Sequence, residues 1–234
     1  MNKQSSLYTT IYIIVLVLIV GTALAVTSLA LRDRQQDNIN ADKMRQILAS
    51  VGIQAEGNDV AKTFNECIIS QKVVNSEGNE VEGSAFDINI AEQVKLPAEE
   101  RKLPVFECRA TDGTTKYILP AYGAGLWGPI WGYIALDDNG STIYGAFFAH
   151  QGETPGLGAE IEKPKFRDEF KGLNLFKNGV FQPIEVVKAG QKPAGDADYV
   201  NGVSGGTITS KGVGAMIDNS LSPYKAFLEK LRTK

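Results

Sequence analysis

The chain opens on an unbroken apolar stretch. From Gln4 to Leu31 there is no charged residue, and from Leu7 to Leu31 Ile, Val and Leu dominate. A bilayer core of about 30 Å needs roughly 20 apolar residues in a helix, so this pattern predicts a single membrane-spanning helix within residues 1–32. Tyr8 and Tyr12 fall where an interfacial aromatic belt would lie, and Arg32-Asp33-Arg34 closes the far end. Ala23-Leu24-Ala25 has the small-x-small form of a signal-peptide cleavage site. The apolar run exceeds the roughly 7–15 residues of a signal-peptide core, which favours an uncleaved anchor. Lys3 lies on one side of the span and Arg32, Arg34, Lys43 and Arg45 on the other. That count favours a cytoplasmic C-terminal side.

Beyond the anchor the periodicity changes twice. Met44, Ile47, Leu48 and Val51 recur at helical spacing in a polar stretch over 33–52, and Val60, Phe64, Cys67 and Ile68 share one face of a second helix over about 59–69. Residues 71–103 are polar and mixed, including Glu99-Glu100-Arg101-Lys102. From Leu103 onward short strand-like runs alternate with turns: 105–109, a turn at Asp112-Gly113, then 116–119, 130–136, a hairpin turn at Asp138-Asn139-Gly140, and 142–150. An apolar, helix-like segment with Val213, Met216 and Ile217 follows the run that ends at Ser210. Ser222-Pro223 reads as the start of a last helix with the stripe Tyr224, Phe227, Leu228 and Leu231. The expected fold class is α+β, a twisted antiparallel sheet with surrounding helices. The expected divisions are an anchor at 1–32, a juxtamembrane helical and mixed region at 33–100, and the α+β domain at 101–234.

The 234 residues suit one membrane segment and one domain. A net charge of −3, with no basic stripe, gives no reason to expect nucleic-acid binding. Cys67, Cys108 and the single His150 fall short of a four-ligand zinc site. The two cysteines read as buried free thiols, or as a disulfide if the domain lies outside the cytoplasm.

Three glycine-dense segments stand out: Gly123-Ala124-Gly125-Leu126-Trp127-Gly128, Gly152-Glu153-Thr154-Pro155-Gly156-Leu157-Gly158, and Ser204-Gly205-Gly206-Thr207-Ile208-Thr209-Ser210. Each alone fits a tight turn. Together they suggest backbone wrapped closely round a flat, bulky ligand. The third packs four hydroxyls and two glycines ahead of a helix, whose free N–H groups suit a phosphate. Gly202-Val203-Ser204-Gly205-Gly206 formally matches a hydrolase nucleophile elbow, but that fold places its histidine after the serine and His150 precedes it. His150 itself reads as a hydrogen-bonded structural residue.

These segments carry a resemblance. One N-terminal span, Gly125-Leu126-Trp127 with Gly132, His150-x-x-Glu153-Thr154-Pro155-Gly156-Leu157-Gly158, and Ser204-Gly205-Gly206-Thr207-x-Thr209-Ser210 together resemble the FMN-binding domain family, and within it the C-subunit family of the Na+-translocating NADH:quinone oxidoreductases. The resemblance implies one FMN per chain, joined through a phosphoester to Thr207 by a dedicated flavin transferase. Ser204, Gly205, Gly206, Thr209, Ser210, Glu153, Thr154, Gly156, Leu157, Gly158, Leu126 and Trp127 are the implied surroundings of that cofactor. Asn201 and Gly206 stand where the family usually has Asp and Ala.

The implied role is a single-electron relay inside a six-subunit membrane oxidoreductase, between an iron–sulfur centre and the flavin of the B subunit, with the B, D and E subunits as neighbours. The resemblance also implies a domain on the periplasmic side of the inner membrane, against the Lys/Arg count. Two alternatives stand beside it: the G subunit of the related Rnf ferredoxin:NAD complex, and a membrane-anchored binding module without cofactor.

Overall fold

A computed structural model of the chain describes residues 6–110 and 113–233, with backbone alone at Asn58. Lys3 and Asp112 lie outside the described residues. The chain divides into two compact units, residues 1–43 and 44–234. In the first, helix α1 (Ser6–Ser50) carries Ile11, Leu16, Leu18, Ile19, Val26 and Leu29 fully on its surface. It is long and apolar enough to cross a membrane. Water would not tolerate that much exposed hydrocarbon, whereas a bilayer requires it.

The second unit begins with the last turns of α1. Here Ile47, Leu48 and Val51 are buried, and Gly52 ends the run with a φ of 76°. Helix α2 (Val60–Cys67) follows, burying Val60 and Phe64. The helical pattern predicted to Ile69 ends earlier, because Ile68 already opens strand β1 (Ile68–Val74). Its backbone pairs with another strand, so sheet hydrogen bonding decides the state of residues whose periodicity fits either. After β2 (Glu80–Val81) and the short helix α3 (Ile90–Gln93) come β3 (Leu103–Arg109), β4 (Thr115–Ala124), β5 (Pro129–Leu136) and β6 (Ile143–His150). They form one antiparallel sheet in the order β2-β1-β3-β4-β5-β6. Residues 68–81, read from sequence only as helix end and polar stretch, therefore extend the same sheet.

Both faces of this sheet are covered, which is why its central strands read as continuous apolar runs. Side chains alternate between faces. Leu119, Ile134 and Phe148 enter one cluster with Val213, Met216 and Leu228, while Ile118, Tyr133 and Ala135 enter another with Ile47, Leu48 and Phe64. Full burial of one such side chain stabilises by about 1.5–3 kcal/mol. Phe148, Phe166 and Phe170 meet edge-on or tilted, with ring centroids 5.0–5.9 Å apart.

The remaining elements are short: α4 (Pro164–Arg167), the pair β7 (Phe176–Lys177) and β8 (Val180–Phe181), and the parallel pair β9 (Glu185–Val187) and β10 (Tyr199–Asn201). Helix α5 (Thr207–Leu221) then crosses β4, and α6 (Lys225–Arg232) closes the chain. The stripe Tyr224, Phe227, Leu228 and Leu231 is buried as its spacing predicts. Ser222 differs from its expected capping role: its hydroxyl donates back to Asp218 at 2.8 Å, and residues 222–224 form a 3-10 turn. Arg101, from the polar and mixed stretch, is buried and donates to the carbonyls of Val94, Leu96 and Asn219. It clips the 94–101 segment to the end of α5.

Candidate functional site

Close packing of α5 on the sheet sets the site. At Gly123 a Cβ would lie 2.7 Å from the Cβ of Met216, and at Gly212 it would strike the Ala124 carbonyl. Only glycine lets helix and strand approach this far. The approach carries the N-terminus of α5 to the β4–β5 turn, where the Gly125 N–H donates to the Gly128 carbonyl at 2.8 Å.

Glu153 joins three loops there. Its carboxylate is buried, 5% exposed. Oε1 accepts the Trp127 N–H at 2.8 Å, the Leu126 N–H also donates to the carboxylate, and Oε2 accepts the Thr209 hydroxyl at 2.5 Å. Burial disfavours the charge, but these three donors and the nearby His150 outweigh it, so the carboxyl titrates below its ordinary value. The glycines make room for it: a Cβ at Gly125 would meet Oε1, and one at Gly158 would meet Oε2 and the Thr209 hydroxyl. His150 accepts the Glu153 N–H on Nδ1 at 3.2 Å, and its Nε2 lies 3.6 Å from Glu162. That is the structural role its place in the sequence suggests.

The 153–158 loop turns on the Thr154 carbonyl, which accepts N–H bonds from Leu157 and Ala159, both 3.1 Å. Gly156, at φ 75°, supplies the left-handed residue such a turn requires. Gly205, at φ 78°, does the same before α5, where a Cβ would fall 2.6 Å from Cδ2 of Leu157. Leu157 therefore lies directly over the Ser204–Gly206 backbone.

The hydroxyl run separates into two pairs. Thr209 and Ser210 are buried and engaged: Thr209 donates to Glu153, and Ser210 Oγ accepts the Val203 N–H at 2.9 Å. Ser204 and Thr207 are exposed. They line a hollow of about 190 Å3 with Gly205, Ser210, Lys188 and Lys211. Leu126, Trp127, Leu157 and Ile208, in the three glycine-dense segments, are exposed apolar residues. Sequence spacing pointed to the loops. It missed Lys188, which the parallel β9–β10 pairing brings in, and Lys211, whose position four residues after Thr207 on a helix was a readable signal.

Residues 125–222 match the family model described as FMN-binding domain. The C subunit of the Na+-translocating NADH-quinone reductase of Vibrio vulnificus is 33% identical over 251 residues, spanning 99% of this chain and 98% of that one. The chain belongs to the C-subunit family of Na+-translocating NADH-quinone reductases. Two crystal structures of this family agree. That from Parabacteroides distasonis is 49% identical with a TM-score of 0.79, covering 85% of this chain and 96% of its own. That from Shewanella oneidensis is 25% identical with a TM-score of 0.68, covering 84% of this chain and all of its own.

In this member of the C-subunit family Asn201 closes β10. Its side-chain oxygen accepts the Gly190 N–H at 3.3 Å, and its own N–H donates to Glu169 at 3.1 Å. Asn201 thus ties the end of β10 to Gly190, beyond β9, and to Glu169. Cys67 and Cys108 are free thiols; burial, with the other cysteine nearby, pushes Cys108 up to about 12.

Proposed function

We propose that this chain is the FMN-carrying electron-relay subunit of a Na+-translocating NADH-quinone reductase, with one FMN joined through a phosphoester to Thr207. The observation that carries the choice of residue is the division of the hydroxyls. Thr209 and Ser210 are buried in hydrogen bonds that hold the loops together, whereas Thr207 is exposed at the first position of α5, on the wall of the hollow.

The residues present fit the cofactor. Gly205 and Gly206 let Leu157 close directly onto the backbone ahead of Thr207, where a Cβ would strike it. The first N–H groups of α5 have no intrahelical partners and favour an anion. Leu126, Trp127, Leu157 and Ile208 offer apolar surface to a flat ring. Bound FMN supplies reversible one-electron chemistry, and the protein sets its position and environment. Glu153 fixes the two loops that flank Thr207 by bonding to both and to α5. Ser204 and Thr207 are accessible to a modifying enzyme.

The wider assignment follows the family. The relay runs between an iron–sulfur centre and the flavin of the B subunit, with the B, D and E subunits as neighbours, and a flavin transferase attaches the cofactor. α1 anchors the chain in the inner membrane with residues 44–234 on the periplasmic side. Partner subunits can fix this topology against the small Lys/Arg bias, and a covalent tether keeps a cofactor that could not readily be replaced there.

Co-expression with a flavin transferase tests the site. Wild type and Thr209→Val should fluoresce in a denaturing gel under ultraviolet light and gain the mass of FMN less water, and Thr207→Val should do neither. A fluorescent Thr207→Val protein with dark Thr209→Val would refute the acceptor assignment.

A further inference from the structure

We propose that Lys188 and Lys211 are the cations that hold the phosphoester anion at Thr207. The inference rests on the reading of Thr207 as the FMN acceptor. The two lysines come from separate parts of the chain: Lys188 directly follows β9, and Lys211 sits four residues into α5. Both line the hollow that Ser204, Gly205 and Thr207 share. On a helix, residues four apart are surface neighbours, so Lys211 stands beside Thr207.

Neither ammonium group has a hydrogen-bond or ion-pair partner among the described residues. Elsewhere in the domain Lys72, Lys116, Lys171 and Lys177 each pair with a carboxylate at 2.6–2.9 Å. Lys211 also borders a second hollow containing Glu185, Asp196 and Asp218, yet none of the three lies within ion-pair distance of it. Two cations left unpaired on one small hollow that no carboxylate lines leave room for an anion from outside the chain. A phosphoester linking a threonine to a flavin retains one negative charge, and the flexible four-carbon stem of lysine suits a point charge there. Both lysines are exposed, so the pairing is sensitive to salt.

Amine footprinting tests this on the full-length chain in its membrane complex. Flavinylated wild type and Thr207→Val are acylated with an amine-selective reagent, and the labelling rate of each lysine is read by mass spectrometry. At low salt Lys188 and Lys211 should label several-fold more slowly in the flavinylated protein, while Lys225 and Lys230 label alike in both. Raising salt from about 0.1 M to 1 M shrinks the screening length from about 10 Å to 3 Å, and the protection should largely vanish. Equal rates in the two proteins at either lysine overturn the proposal. So does protection that persists at 1 M salt, since cover by the flavin ring needs no charge pairing. The same spectra report the mass of the peptide bearing Thr207. Without the FMN increment there, the Thr207 reading itself fails; with the increment and unprotected lysines, only the lysine assignment fails.

Discussion

The Glu153 carboxylate accepts the Thr209 hydroxyl across a sequence separation of 56 residues, and both groups are buried. Through this bond, and those from the Trp127 and Leu126 N–H groups, one side chain fixes the β4–β5 turn, the 153–158 loop and the start of α5. Glu153→Gln keeps the shape but presents an amide N–H2 to a donor. At least one buried donor then loses its acceptor, at a cost of about 1–3 kcal/mol. Urea unfolding of the flavin-free protein should show that loss; a difference within 0.5 kcal/mol, the ordinary range for surface substitutions, would remove Glu153 as the tie.

The pH dependence of the same residue has a definite sign. Its folded carboxyl titrates below its ordinary value, so its stabilisation is fully present above the unfolded value and is lost as pH falls through the folded one. The gap in unfolding free energy between wild type and Glu153→Gln should hold from pH 7 to about 5 and close below about pH 4, near the ordinary glutamate value. A gap that widened in acid would contradict the hydrogen-bond scheme.

Gly158→Ala should be costly. The added methyl would meet both the Glu153 carboxylate and the Thr209 hydroxyl, and overpacking of this kind costs about 1–3 kcal/mol. At Gly152 a Cβ meets nothing within 4 Å, so Gly152→Ala serves as the control, with a midpoint close to wild type. Thermal melts of the two variants side by side decide the point.

Trp131→Phe separates the end of α1 from the sheet it packs on. The indole N–H donates to Gln46 Oε1 at 3.0 Å, beside the buried Ile47 and Leu48. Losing one such bond should cost about 0.5–1.5 kcal/mol. Hydrogen exchange should also speed up over residues 44–51; unchanged exchange there would show that the bond does not hold the helix end.

Phe148→Ala removes the ring that contacts both Phe166 and Phe170. A fully buried Phe→Ala change typically costs about 3–5 kcal/mol. Denaturant unfolding should show a loss of that size, and a loss below about 1 kcal/mol would mean that the 158–170 segment repacks onto the sheet.

Much of this protein is legible along the chain. The uncharged run to Leu31 is marked by its length, the strands from Leu103 to His150 by short apolar runs between turn residues, and the last two helices by their apolar stripes. The failures share a cause. Ile68–Val74 is a strand because β3 offers it an edge, and Glu80–Val81 in turn pairs with Ile68–Val74; no local period reports a partner such as Cys108 for Ile68 or Leu103 for Val74. The burial of Arg101 was not legible because its acceptors, the Val94, Leu96 and Asn219 carbonyls, are backbone atoms that sequence does not display.

The site divides along the same line. Sequence by itself singled out the three glycine-dense loops, since glycine density and hydroxyl spacing are local and chemical. It did not determine which hydroxyls are free. Thr207 and Thr209 are near neighbours in one run, yet one is exposed and the other is buried against Glu153. That distinction depends on the rotation of α5 and on its close approach to the sheet through Gly123 and Gly212. Burial and hydrogen-bond partnership belong to the packed chain, because they are set by atoms distant in sequence, and only the tertiary structure could decide them.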